Sequence, residues 1–144
     1  MSTRACYTFK DDRGSVHVYK HHDGYPYASD GNSEDGGLVW IDATRPFAWP
    51  LPRFEADEFA AGFVSANKYA NGSGGGVRLI NTKEPWEFSG DSEFWYHISC
   101  VDGQLYVSVH AVNWWDEKTR KRTLVMEGPL DELLNKQRSR KEVA

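Results

Sequence analysis

The stretch that most limits what this chain can become is residues 93–113, EFWYHISCVDGQLYVSVHAVN. Two β-rich runs, 93–100 and 104–113, flank VDGQ. Asp-Gly between alternating apolar residues is the strongest short hairpin signal, because a two-residue type I′ turn needs positive φ at both central positions. With Asp102 and Gly103 at the tip, Val101 pairs with Gln104. Phe94, Tyr96, Ile98 and Cys100 then oppose Ala111, Val109, Val107 and Leu105. That face is wholly apolar and must be the core face. The other face carries Trp95, His97 and Ser99 opposite His110, Ser108 and Tyr106. His97 and His110 become diagonal neighbours, roughly 7–8 Å apart at Cα.

A second hairpin is expected at the start of the chain. Residues 5–9, ACYTF, and 15–20, SVHVYK, alternate, and KDDRG between them supplies a turn with Gly14. Val16, Val18 and Lys20 point one way and His17, Tyr19 and His21 the other. If Val16 and Val18 face the core, the two hairpins laid side by side present a His/Tyr/Trp surface. Residues 28–37, ASDGNSEDGG, read as a loop, residues 38–44 are ambiguous, and the prolines of RPFAWPLPRF make an extended lead-in that packs Phe47, Trp49 and Phe54 over the sheet edge. Residues 54–69 form the principal helix, with Ala56, Phe59, Ala60, Phe63 and Val64 on one stripe and acids in the first turn. VRLI and KRTLVME are further strands, and Gly128-Pro129 opens a C-terminal helix over LDELLNKQRSR. The expected fold is α+β: a mostly antiparallel sheet of five or six strands, one principal helix packed on it and a short C-terminal helix.

Residues 17–26, HVYKHHDGYP, hold three of the five histidines. Two readings compete. In one, His21, His22, Asp23, His97 and His110 are catalytic candidates lining a cleft. In the other, the sheet face is solvated and His22-Asp23-Gly24 only turn the chain, since Asp bonds its own backbone readily. No metal is expected: zinc sites need three or four convergent ligands, and no compact histidine spacing occurs. No cofactor is expected either. No nucleophile-elbow pattern is present, and Cys100 faces the core, where a free thiol is inert.

The remaining motifs are weaker. GSGGG at 72–76 runs helix–loop–strand, the wrong order for a phosphate cradle, and reads as a connector. NWWDEKTRKR joins Trp114 and Trp115 to four bases, a combination that can stack single-stranded nucleic acid, but Asp116 and Glu117 interrupt it at a hairpin tip.

Length and charge bound the class. The 144 residues suit one domain over 1–144, and the net charge of −4 disfavours a general polyanion binder. Cys6 and Cys100 are far apart and lack Cys-x-x-Cys spacing, as in a reduced cytoplasmic protein. No run approaches the ~20 apolar residues of a membrane span, and MSTRACYTFKDD lacks a secretory apolar segment.

The opening MSTRACYTF, then VHVYKHHDGYP, AWPLPRFEADEFAAGFVSANK and GGVRL resemble a family of small uncharacterised bacteriophage and prophage proteins. That family shares a TRA-x-Y-x-F start and a Y-x-H-x-DGYP motif. The resemblance covers roughly the first 80 residues and implies a mobile-element protein working in a host cytoplasm. It carries over no catalytic residue. After Pro26 the family continues with a small-residue helix, whereas YASDGNSEDGG is loop-like.

The expectation is therefore a phage-type accessory protein that binds a host or phage macromolecule, first a protein in the host cytoplasm, with countering a host defence as one role the resemblance implies. The binding candidates are His17, Tyr19, His21, Trp95, His97, Tyr106, His110, Trp114 and Trp115. A small hydrolase-like or metal-assisted enzyme using the His/Asp cluster is the alternative, and a nucleic-acid binder through the Trp114–Trp115 tip is a third. An enzyme requires a pocket where the histidines converge; a binding protein requires an exposed aromatic patch.

Overall fold

In the computed structural model, residues 3–26, 36–71, 76–116 and 118–143 are described. Most of the 28–37 loop and of the 72–76 connector lies outside the described residues.

Among the described residues the chain forms six strands and three α-helices. The strands are β1 (Ala5–Asp11), β2 (Gly14–Lys20), β3 (Val77–Ile80), β4 (Phe94–Val101), β5 (Gln104–Val112) and β6 (Arg122–Pro129). They make one sheet in the order β3-β2-β1-β4-β5-β6. All neighbours are antiparallel except β1 and β4, so the fold is α+β with a mostly antiparallel sheet. Both hairpins form, side by side, joined by the parallel β1–β4 pair. In the β4–β5 hairpin Phe94 pairs with Ala111 and Cys100 with Leu105, and Asp102 and Gly103 take φ of 53° and 77°. That is the register the Asp-Gly turn dictates.

The helices are α1 (Gly37–Asp42), α2 (Ala56–Asn71) and α3 (Leu130–Val143). They cover one face of the sheet, where Phe59 and Phe63 of α2, Leu38 and Ile41 of α1, and Leu130 and Leu133 of α3 join Tyr7, Phe9, Val18, Tyr96, Ile98, Val107 and Val109. Phe63 lies 4.6 Å from Tyr7 and 5.4 Å from Phe9, ring to ring. Asp11 ties the first hairpin to this layer: its carboxylate accepts from the Arg13 and Gly14 amides in the turn and from the Ala56 amide at the start of α2. Lys20, aligned with Val16 and Val18, follows them into the core, where Nζ donates to Oδ1 of Asn67 on α2 and lies 4.4 Å from the Trp40 ring centre.

Four expectations need correction. Gly37 does not belong to the loop expected over 28–37 but starts α1, resolving the ambiguous 38–44 region as helix followed by a 3-10 turn over Arg45–Phe47. The principal helix begins at Ala56, because Pro50 and Pro52 keep the lead-in irregular. Phe47 and Trp49 do not pack over the sheet; both are exposed, Trp49 beneath Arg53 and Phe47 near Tyr69, while Phe54 alone packs inward on Phe59. Cys100 keeps its core-side register but is half-buried at the hairpin end, and the fully buried thiol is Cys6 on the opposite face.

That opposite face is only partly open. A 3-10 segment, Pro85–Gly90, lies across it, and Trp86 and Phe88 pack with Trp95 on Cys6, Tyr19 and Ile80 as a second apolar cluster. Among the described residues no helix is long and apolar enough to cross a membrane.

Candidate binding face

Strand alternation puts His17, Tyr19, Trp95, His97, Tyr106 and His110 on the face away from the helices. Cross-strand pairing aligns Ile80, His17, Thr8, His97, Ser108 and Glu127 in one row. The adjacent row runs Arg78, Tyr19, Cys6, Trp95, His110 and Leu124. The segment Pro85–Gly90 divides this face into two neighbourhoods.

The first centres on Trp95. Its indole Nε1–H donates to Thr8 Oγ1 at 2.9 Å, and Thr8 Oγ1 is 2.8 Å from His17 Nδ1. The Trp95 ring packs at a tilt 4.0 Å from His97 and 5.7 Å from His110, and the two imidazoles are 5.3 Å apart, edge to face. Burial, aided by His110, His17 and Lys10, pushes the His97 pKa down to about 4, so it is neutral near pH 7. Burial also lowers His17 and His110, with Glu127 opposing the shift at His110. His97 Nε2 and His110 Nδ1 are buried and make no hydrogen bond among the described residues. Arg122 of β6 stacks 4.2 Å over Trp86, which lies 4.5 Å from Trp95.

The second neighbourhood surrounds His21. Tyr19 Oη is 2.8 Å from its Nδ1, and Arg4 Nε donates to the same nitrogen at 3.2 Å. Arg4 also pairs with Asp91 at 3.0 Å. Burial, with the charge of Arg4 second, lowers the His21 pKa. These residues line a groove of about 390 Å³ with Arg78 and Phe88.

The predicted His/Asp cluster does not form one site. His22 packs edge-on against His21 at 4.7 Å but is exposed. Asp23 takes φ of 57° in the turn, accepts from Tyr25 at 3.4 Å, and its charge acts on the core residue Tyr7. Neither residue joins His97 and His110. Tyr106 sits at the far end of the face, opposite Ser99 and beside Pro129. Trp114 and Trp115 lie on the β5–β6 tip as an exposed edge-to-face pair, 5.7 Å apart. Among the described residues no group of three or more His, Cys, Asp or Glu side chains is placed to hold a metal ion.

Four contributors were missed by the sequence reading: Arg4, Arg78, Trp86 and Phe88. Arg78 was legible, because VRLI alternation places it beside Tyr19 once β3 is paired to β2. The Pro85-Trp86 start of the covering segment was a local signal, Pro being favoured at the first helical position. Its destination was not local.

Exposed large apolar side chains occur at several places among the described residues, including Tyr69 on α2 and Leu79 on the edge strand β3; one group lies on the β5–β6 tip and on β6. Trp115 is 70% exposed, and Leu124 and Val125 are each 48% exposed on β6, the last strand of the sheet. A bulge between Val109 and His110 in the β5 register lets β6 carry an extra residue there.

No protein-family model matches the chain, no curated protein matches it, and no solved structure matches it.

Proposed function

We propose that this protein works by binding a protein partner along the β5–β6 hairpin. The observation that carries the reading is the edge strand β6, which bears exposed Leu124 and Val125 and leads from the exposed Trp114–Trp115 tip. A sheet edge offers unpaired backbone donors and acceptors, which an extended segment of another chain can pair. Exposed Trp supplies large anchoring area of the kind that dominates interface energetics. Lys118 and Lys121 beside the tip are exposed, which favours a partner segment with acidic residues. The neutral His97–His110 pair lies beside Leu124 at the inner margin of the same surface.

The sequence resemblance supplies the setting. The TRA-x-Y-x-F start and the Y-x-H-x-DGYP motif resemble those of phage and prophage proteins, and on that resemblance the proposed partner is a host or phage protein and the proposed role an accessory one, such as countering a host defence.

The test is affinity capture from bacterial lysate with the wild-type chain and with Trp115→Asp and Leu124→Lys variants. The expected result is a protein retained by the wild type through nuclease treatment and lost by both variants at unchanged thermal stability. Material released by nuclease, with steeply salt-dependent retention, would instead assign the surface to nucleic acid.

A further inference from the structure

The groove beside His21 carries more cationic than anionic groups. Guanidinium groups donate and never accept, so the Arg4 Nε contact means that His21 Nδ1 carries no proton and accepts. The Tyr19 hydroxyl, 2.8 Å away, donates to that nitrogen too. The proton of the neutral ring is therefore on Nε2, leaving His21 an N–H donor. Gly76 fixes the backbone here, its carbonyl accepting the His21 amide at 2.8 Å. The side chain of Arg78, opposite Tyr19 in the β2–β3 register, makes no hydrogen bond or ion pair among the described residues. Two guanidinium groups, Arg4 and Arg78, thus face one carboxylate, Asp91, which is already paired to Arg4 at 3.0 Å. Phe88, packed 5.2 Å from Tyr19, gives the groove an apolar wall.

We propose that this groove binds a small oxyanion, a phosphate or carboxylate carried on a flat ring, with Arg78 and His21 Nε2–H as donors and Phe88 against the ring. Two guanidinium groups against one carboxylate leave the groove net positive, which favours an anion, and a planar guanidinium fork suits both oxyanions. A volume of about 390 Å³ falls within the range of small-ligand sites. The site is separate from the β5–β6 surface and stands or falls without it.

Calorimetric titration at low ionic strength with phenyl phosphate, benzoate and benzyl alcohol tests it. The expected result is saturable binding of phenyl phosphate, benzoate or both, weakened by added salt, and none of the neutral alcohol. The stronger of the two acids identifies the oxyanion. Arg78→Ala, an exposed edge substitution, should weaken binding roughly tenfold or more, since a charge-assisted hydrogen bond is lost. Nitrogen NMR of the His21 ring should show the Nε2–H tautomer and shift on titration. The proposal is overturned if neither acid binds at millimolar concentration, or if Arg78→Ala binds as the wild type does.

Discussion

The Tyr96 hydroxyl donates a 2.6 Å hydrogen bond to the carbonyl of Gly24, fastening the DGYP turn to the centre of the sheet. Both ends of this contact need glycine. A Cβ at Gly24 would lie 2.6 Å from that of Ala5, and one at Gly37 would lie 2.2 Å from the Tyr96 ring and hydroxyl. Tyr96→Phe should therefore destabilise by about 1–3 kcal/mol, because a buried carbonyl loses its donor. Gly37→Ala should destabilise the fold, since the clash is with a packed ring stacked on Tyr7. Urea unfolding of both variants checks this; an unchanged midpoint for Gly37→Ala would contradict it.

Phe63 is fully buried between α2 and the sheet. Phe63→Ala is expected to cost ~3–5 kcal/mol, the range for removing a buried aromatic ring. A loss below ~1 kcal/mol in urea unfolding would contradict the packing described for α2.

Lys20 and Asn67 form a buried polar pair linking β2 to α2. Lys20→Met and Asn67→Leu should each destabilise, since each leaves a buried polar group short of a partner. The double variant should lose less than the sum of the two, as contacting residues couple. Strict additivity would show that the two side chains do not interact.

The histidine face makes stability fall with acid. His97 is neutral in the fold with a pKa near 4, against an ordinary value of 6.5. Between those values the unfolded chain binds a proton that the folded chain does not, so stability drops as pH falls from 6.5 toward 4 and levels off below. His17 and His110 shift in the same direction. Asp11, lowered below 3.8 chiefly by the Ala56 amide, contributes only at more acid pH. Urea midpoints measured across this range should show a shallower slope for His97→Gln than for the wild type. Parallel slopes would contradict the burial of His97.

Local sequence was sufficient where one face of an element had to be apolar. Asp102-Gly103 set the β4–β5 register, and with it the shared face of Trp95, His97 and His110. The Phe59–Phe63 stripe placed α2 on the other side. Alternation also set Lys20 in line with Val16 and Val18, but its partner Asn67 lies 47 residues away and leaves no local trace. The parallel β1–β4 pairing and the Pro85–Gly90 cover are likewise long-range. They divided the histidine-bearing face into two neighbourhoods, with His22 at the margin of the second, against His21, and Asp23 outside both. For Trp114 and Trp115 the hairpin tip was legible, and their exposure follows from it.

The central claim is that the β5–β6 edge is the working surface. Hydrogen–deuterium exchange of the chain alone and in complex with its captured partner tests it most directly. The account predicts slowed exchange at the amides of Trp114, Trp115, Leu124 and Val125, with the Arg4–His21 groove unchanged. Protection confined to the helices or to the His21 groove, with β6 exchanging as in the free chain, would contradict it.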